Sequence, residues 1–237
     1  MTLLGWLSVI VPLVVPVMLL ITAAISPHQA HRMVAKEKGI VEHLTVIVLL
    51  PGIAAGLWGV WVAHRRRLTP RWWIPAWFLM WTMACVYFAG EEISWGQHYF
   101  GWSAPEAISE INDQHETNLH NMSSWLDQKP RALVELFIVV GGLIIPIIHA
   151  LQGQKRPGPS RWDYWVWPNA ACATAAAMMV ASRVGKTLDH SMPDLMAGLG
   201  NSETREYTVA LFLTVYMVVW AYRVSVQRRN AASPGSA

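Results

Sequence analysis

The sequence predicts an all-α fold: a polytopic bundle of about six membrane-spanning helices, with an amphipathic extramembrane segment between the third and fourth. Three observations predict it. Hydrophobic residues make up 54% of the chain and charged residues only 14%, which is too apolar for an ordinary soluble domain. Apolar runs of about twenty residues, the length that crosses a bilayer, recur between short polar or basic stretches. The length, 237 residues, suits one such bundle and not two.

Residues 3–25 form the first expected span, with Pro12 and Pro16 inside it. Such kinks are tolerated in a membrane helix when neighbouring groups satisfy the freed carbonyls. The stretch lacks a basic leading region and a small-residue cleavage site, so it reads as a span and not as a signal peptide. A polar link leads to the second span, residues 40–63, which opens on Glu42 and His43 and carries a G-x-x-x-G step at Gly52 and Gly56. That spacing either permits close helix contact or, beside Pro51, simply loosens the helix. After the basic loop Arg65–Arg71 comes the third span, residues 72–90, which begins with Trp72, Trp73 and Trp77 as an interfacial belt. The fourth, fifth and sixth spans are expected at 131–151, 162–181 and 205–224. Together they close a single domain over 1–224, and 225–237 reads as a disordered tail.

Charge is distributed unevenly over this topology. Ten of the eighteen Lys and Arg fall on the side of the two termini, a small excess that places both termini in the cytoplasm by the positive-inside rule. Of the fifteen acids, only Asp163 lies on that side, and seven of nine histidines accompany the other fourteen acids. The expected location is therefore the bacterial inner membrane, with an acid-and-histidine face turned outward. A pI near 9 arises from short basic clusters beside apolar spans, so nucleic acid is not an expected partner. Cys85 and Cys172 lie inside apolar runs and suggest neither a disulfide framework nor a cysteine-rich metal site.

The segment from Gly90 to Asn121 concentrates the chemistry. Glu91 and Glu92 end a hydrophobic helix, where a carboxylate pair needs a proton, a metal or a basic partner. If the third helix continues to Phe100, Glu91 and His98 share a face two turns apart, and Glu116 and His120 share one at i and i+4. Two such pairs facing each other supply the four ligands of a zinc or iron site, which Glu42 extends. Glu92 is then the expected general base and Asn118 an orienting amide in the catalytic set. Without a metal, Glu91 or Glu92, desolvated beside a like charge, reads as a general base that activates water with a histidine as acid, His190 and Asp194 at i and i+4 being the partner pair. His43 reads as a satisfied helix-end residue. The plain reading of the loop acids is a solvated surface.

The strings Glu91–Gln97 and Glu116–Asn121, with Val41–Thr45 and Glu203–Glu206, resemble the signature of an uncharacterised family of small bacterial multi-pass membrane proteins. The resemblance spans most of residues 40–220 and implies that the acid face is the working part; it implies no activity. A weaker resemblance is to the CAAX-type intramembrane glutamate proteases, with Glu91-Glu92 in place of their E-E-x-x-x-R motif and His190 with Asp194 in place of H-x-x-x-N/D. The arginine of that motif is Gly96 here, and the nearest approach to their F-x-x-x-H is Ile145 with His149.

The expected function is a membrane-embedded, metal-dependent enzyme, a hydrolase in preference to an oxidase, acting on a lipid or other apolar molecule. The alternatives are a non-catalytic integral subunit or binding protein of a larger complex, whose fourteen tryptophans contact lipid or partner subunits, a CAAX-type protease, and a small proton-coupled transporter.

Overall fold

The computed structural model describes residues 3–35, 39–103, 105, 117, 124–153, 157–196 and 198–232. Among these, all regular structure is helical: α1 (Leu3–Ile25), α2 (Pro27–Met33), α3 (Ile40–Arg66), α4 (Trp73–Glu92), α5 (Gln97–Phe100), α6 (Ser124–Val139), α7 (Ile145–Leu151), α8 (Trp162–Val166), α9 (Ala173–Leu188), α10 (Pro193–Met196) and α11 (Ser202–Ala232). Five helical stretches are long and apolar enough to cross a membrane: Ser8–Ile25, Ile40–Arg66, Trp73–Glu92, Lys129–Leu151 and Ser202–Ala232.

Helix α11 is the centre of the bundle, buried on almost every face from Glu203 to Val224. Its closest neighbour is α3, and glycine decides how close. A Cβ on Gly52 would stand 2.9 Å from the Thr214 backbone, and one on Gly56 would stand 2.3 Å from Thr82 Oγ1 on α4. The G-x-x-x-G step is thus the surface on which α3 meets α11 and α4, which is the contact reading of that spacing. With the helices this close, Thr214 Oγ1 donates to Val48 O at 2.7 Å across the interface. Aromatic rings fill the rest of the core: Phe78 stacks on Trp220 with centroids 4.0 Å apart, and Phe137 packs between Trp77, Trp81 and Tyr216.

The expected fifth span is not one helix. Residues 162–181 form α8, a break at Trp167-Pro168-Asn169, a 3₁₀ turn at Ala170–Cys172 and the start of α9. Proline has no N–H and its ring excludes the residue before it from helical geometry, so the helix ends ahead of Pro168. The broken segment still traverses the bundle. Trp165 packs on Trp220 near one end of α11, while Arg183 reaches Glu135 and Gly185 packs on Gly200 near the other. The carbonyls freed by the break are met from α11: Arg223 donates to Trp165 O and Trp167 O, and the Tyr216 hydroxyl donates to Val166 O at 2.6 Å. Among the described residues, the broken segment thus runs alongside the five long apolar helices.

A second proline acts in the fourth passage. Pro146 cannot donate to Gly142 O, and the ladder widens into a π segment over Val140–Ile144. Of the expected disordered tail, residues 225–232 are helical, and 233–237 lie outside the described residues. α11 continues to Ala232, because Gln227, Arg228 and Arg229 favour helix and the arginines suit its C-terminal dipole.

Candidate functional site

The acidic end of the bundle collects the first turn of α3, the last turn of α4, the start of α6, the end of α9 and the first turns of α11. Glu91 and Glu92 are both buried there. Two paths diverge from this adjacent pair, because consecutive helical residues point about 100° apart.

Glu92 faces α11. Glu203 and Glu206, at i and i+3 on that helix, present carboxylates on one face toward it. One oxygen from each of Glu92, Glu203 and Glu206 lies within 4.8 Å of the other two. The carboxylates of Glu206 and Glu203, and that of Glu42 in the first turn of α3, act on Glu92 electrostatically. Carboxyl groups gathered this closely repel one another unless a proton or a cation lies among them. The start of α11 is itself a favourable place for acids, since its first turn carries the positive end of the helix dipole.

Glu91 faces the other way. Trp95 Nε1 donates to Glu91 Oε1 at 2.7 Å, and the Tyr87 hydroxyl bonds the same carboxylate. The indole reaches back because the chain reverses after α4: Ser94 and Trp95 take φ of 45° and 55°, and Gly96 takes 92°. Left-handed geometry at two non-glycine residues costs about 1–3 kcal/mol each and persists only where surrounding contacts hold it. Here Gly96 N donates to Ile93 O at 2.8 Å, and Thr117 Oγ1 donates to Ser94 O at 2.8 Å. Gly90 provides the room, since a Cβ there would meet the Trp95 ring at 2.8 Å.

Arginines surround the acids. Arg131 from α6 pairs with Glu206. Glu135, one turn further on, is held by Arg183 at 2.6 Å and by Arg205 at 3.4 Å. Even so, the described residues place six glutamates (Glu42, Glu91, Glu92, Glu135, Glu203 and Glu206) against three arginines. A cavity of about 150 Å³ adjoins the cluster, lined by residues of α4, α6 and α11. Its apolar wall is Tyr87, Phe88, Val134, Val209 and Leu213. Its polar wall is Glu91, Glu92, Glu206, Arg131 and Arg205.

Of the residues expected in the site, Glu42, Glu91 and Glu92 are at this end of the bundle. The premise for pairing Glu91 with His98, a helix continuous through both, is replaced by the left-handed reversal at Ser94–Gly96. The His98 backbone lies in α5, while its side chain, together with Glu116, Asn118 and His120, lies outside the described residues. His190 and Asp194 are exposed and do not share a helical face, because α10 begins only at Pro193. His43 is satisfied at the helix end, its Nδ1 3.1 Å from Gly39 O. Sequence reasoning did not assign Glu203, Glu206, Arg131 and Arg205 to the site. The signal for the glutamates was an i, i+3 pair opening a long apolar helix, where solvated acids would not need to share a face.

Comparison with family models, with curated proteins and with solved structures gives no match for this chain.

Proposed function

We propose that the chain is an integral enzyme of the bacterial inner membrane, a cation-dependent hydrolase of an amphiphilic substrate, with both termini cytoplasmic. The observation that carries the reading is the meeting of Glu92, Glu203 and Glu206 within 4.8 Å at a buried helix junction. Three carboxylates in that position repel one another unless a cation or protons compensate them. The donors are all oxygens, which suits magnesium, manganese or calcium better than zinc, whose sites ordinarily include His or Cys. The expected zinc or iron ligands His98, Glu116 and His120 would add nitrogen donors and shift that preference.

A bound divalent cation supplies Lewis acidity and a more acidic water at neutral pH. In this reading the adjacent glutamates exchange their expected roles. Glu92 belongs to the cation set. Glu91, held by Trp95 and Tyr87 at the cavity wall, is the base that takes the proton from water.

The test is elemental analysis of the detergent-purified chain after loading with manganese and removal of free ion. About one equivalent is expected in the wild type and in Glu91→Gln, with most of it lost in Glu203→Gln and Glu206→Gln. Metal-free protein at every step, or metal unaffected by the Glu203 and Glu206 substitutions, refutes the assignment.

A further inference from the structure

Two irregularities of the backbone meet away from the acidic end of the bundle. The π segment Val140–Ile144 faces the break at Trp167-Pro168-Asn169, where a Cβ on Gly141 would stand 2.9 Å from Pro168 Cδ. Both depart from the regular helix that a membrane favours. Irregular backbone is tolerated there where it is buried in protein or lines a cavity, and π segments are frequent at functional sites. Pro168 is also part of the wall of a cavity of about 540 Å³. That wall runs from Pro146 and His149 on α7 to Trp167 and Asn169 at the break and Tyr222 on α11. At about 1.5 Å per residue, Tyr222 stands about 28 Å along α11 from Glu203, so this cavity is distinct from the acidic site.

The side chains of the wall define what suits it. Tyr164, Trp167 and Tyr222 contribute aromatic rings, and Pro146, Pro157 and Pro168 contribute flat apolar ones. Such surfaces favour a flat apolar ligand that stacks on them. The charged groups are already engaged. Arg223 donates to Trp165 O and Trp167 O and lies over the Tyr164 ring, while Asp163 is held by Arg161 and by Tyr164 N. The wall therefore selects neither an anion nor a cation, and a heterocycle rich in N–H groups would lack acceptors. Its neutral polar groups can all donate. Asn169 Oδ1 accepts from Ala171 N at 3.0 Å to cap the 3₁₀ turn, which leaves the NH₂ group of the same amide as a donor. Neither that group, nor the His149 ring, nor the hydroxyls of Tyr164 and Tyr222 hydrogen-bonds another described residue. A flat neutral ring with carbonyl oxygens on opposite edges matches both the surfaces and the donors.

We propose that this cavity binds the ring of a membrane quinone, stacked on the aromatic wall, with its carbonyl oxygens accepting hydrogen bonds from His149 on α7 and from Asn169 at the break. The site is separate from the carboxylate cluster and does not rest on the cation-dependent reading.

The experiment is a calorimetric titration of the full chain in a non-ionic detergent. The probes are dimethoxymethylbenzoquinone, which is the ubiquinone ring without its tail, and trimethoxytoluene, a ring of similar size without the carbonyls. The quinone is expected to bind about tenfold tighter than trimethoxytoluene. Asn169→Asp keeps the capping oxygen and loses the NH₂ group, and His149→Phe keeps a ring and loses its N–H; each removes most of that preference. Ala150→Trp, at an exposed position in the cavity wall, is expected to abolish binding of both rings. Residues 149 and 169 are part-exposed and residue 150 is exposed, so the fold is expected to survive all three changes. Absence of quinone binding, or equal binding of the two rings, overturns the quinone assignment. Quinone binding that survives Ala150→Trp overturns the assignment to this cavity. A preference unchanged in both Asn169→Asp and His149→Phe overturns the donor roles and with them the proposed pose.

Discussion

The ion network behind the cavity makes a quantitative prediction about how the site is supported. Glu135 is buried, its side chain 7% exposed, and it bridges Arg183 on α9 and Arg205 on α11. Replacing Glu135 with Leu leaves Arg205, 13% exposed, with Glu206 as the acid that acts on it among the described residues. At 3.4 Å and an effective dielectric constant near 20, one charge pair is worth about 5 kcal/mol before desolvation is counted. Breaking a buried pair by removing one partner costs about 3–5 kcal/mol, and Glu206 keeps the effect at the lower end, about 3 kcal/mol. Arg183 is 57% exposed and turns to solvent, so it adds little. Arg205→Met strands the carboxylate only partly, because Arg183 remains beside it, and costs about 2 kcal/mol. The double variant Glu135→Leu/Arg205→Met leaves no orphan charge and is expected within about 1 kcal/mol of the wild type. Reversible unfolding in mixed micelles, followed by tryptophan fluorescence, measures all four corners of the cycle. Single variants that each cost less than about 1 kcal/mol, or a double variant equal to the sum of the singles, refute the reasoning.

Two further predictions concern the elements that shape the site and the break opposite it. Tyr216→Phe removes the acceptor for Trp77 Nε1 and the donor to Val166 O, leaving a buried carbonyl and an indole N–H unpaired; about 2–4 kcal/mol of stability is expected to go. A loss under about 1 kcal/mol would mean that the helix break does not depend on the Tyr216 hydroxyl. Gly90→Ala is expected to cost about 1–3 kcal/mol, because the new methyl group meets the Trp95 ring, and to be near neutral in a Trp95→Ala background. Equal costs in both backgrounds would show that the indole is not what Gly90 accommodates.

Much of the site was legible as a list of residue types and little of it as a set of partners. Glu91 and Glu92 are conspicuous because two acids cannot end an apolar helix without compensation, and the structure buries both. Their partners were sought nearby, in His98, on the assumption that the helix runs on. The reversal at Ser94–Gly96 depends on Thr117, on Gly90 and on the indole of Trp95, contacts that no local spacing displays. The residues that do meet Glu92 come from more than a hundred positions later. Glu203 and Glu206 are neighbours of Glu92 because α3 packs through its glycines against both α11 and α4 and so brings those two helices together.

By itself the sequence determines the membrane class of this protein, the approximate limits of five spanning helices, the glycine step and the concentration of acids at one end. These follow from periodicity, segment length and the cost of placing charge beside hydrocarbon, all of which act locally along the chain. The tertiary structure alone decides that the remaining passage is broken at Pro168 and rescued by Arg223 and Tyr216. It also decides which of many acids face one another, because pairing across helices depends on rotation and approach distance, and those are set by the packing of side chains distant in sequence.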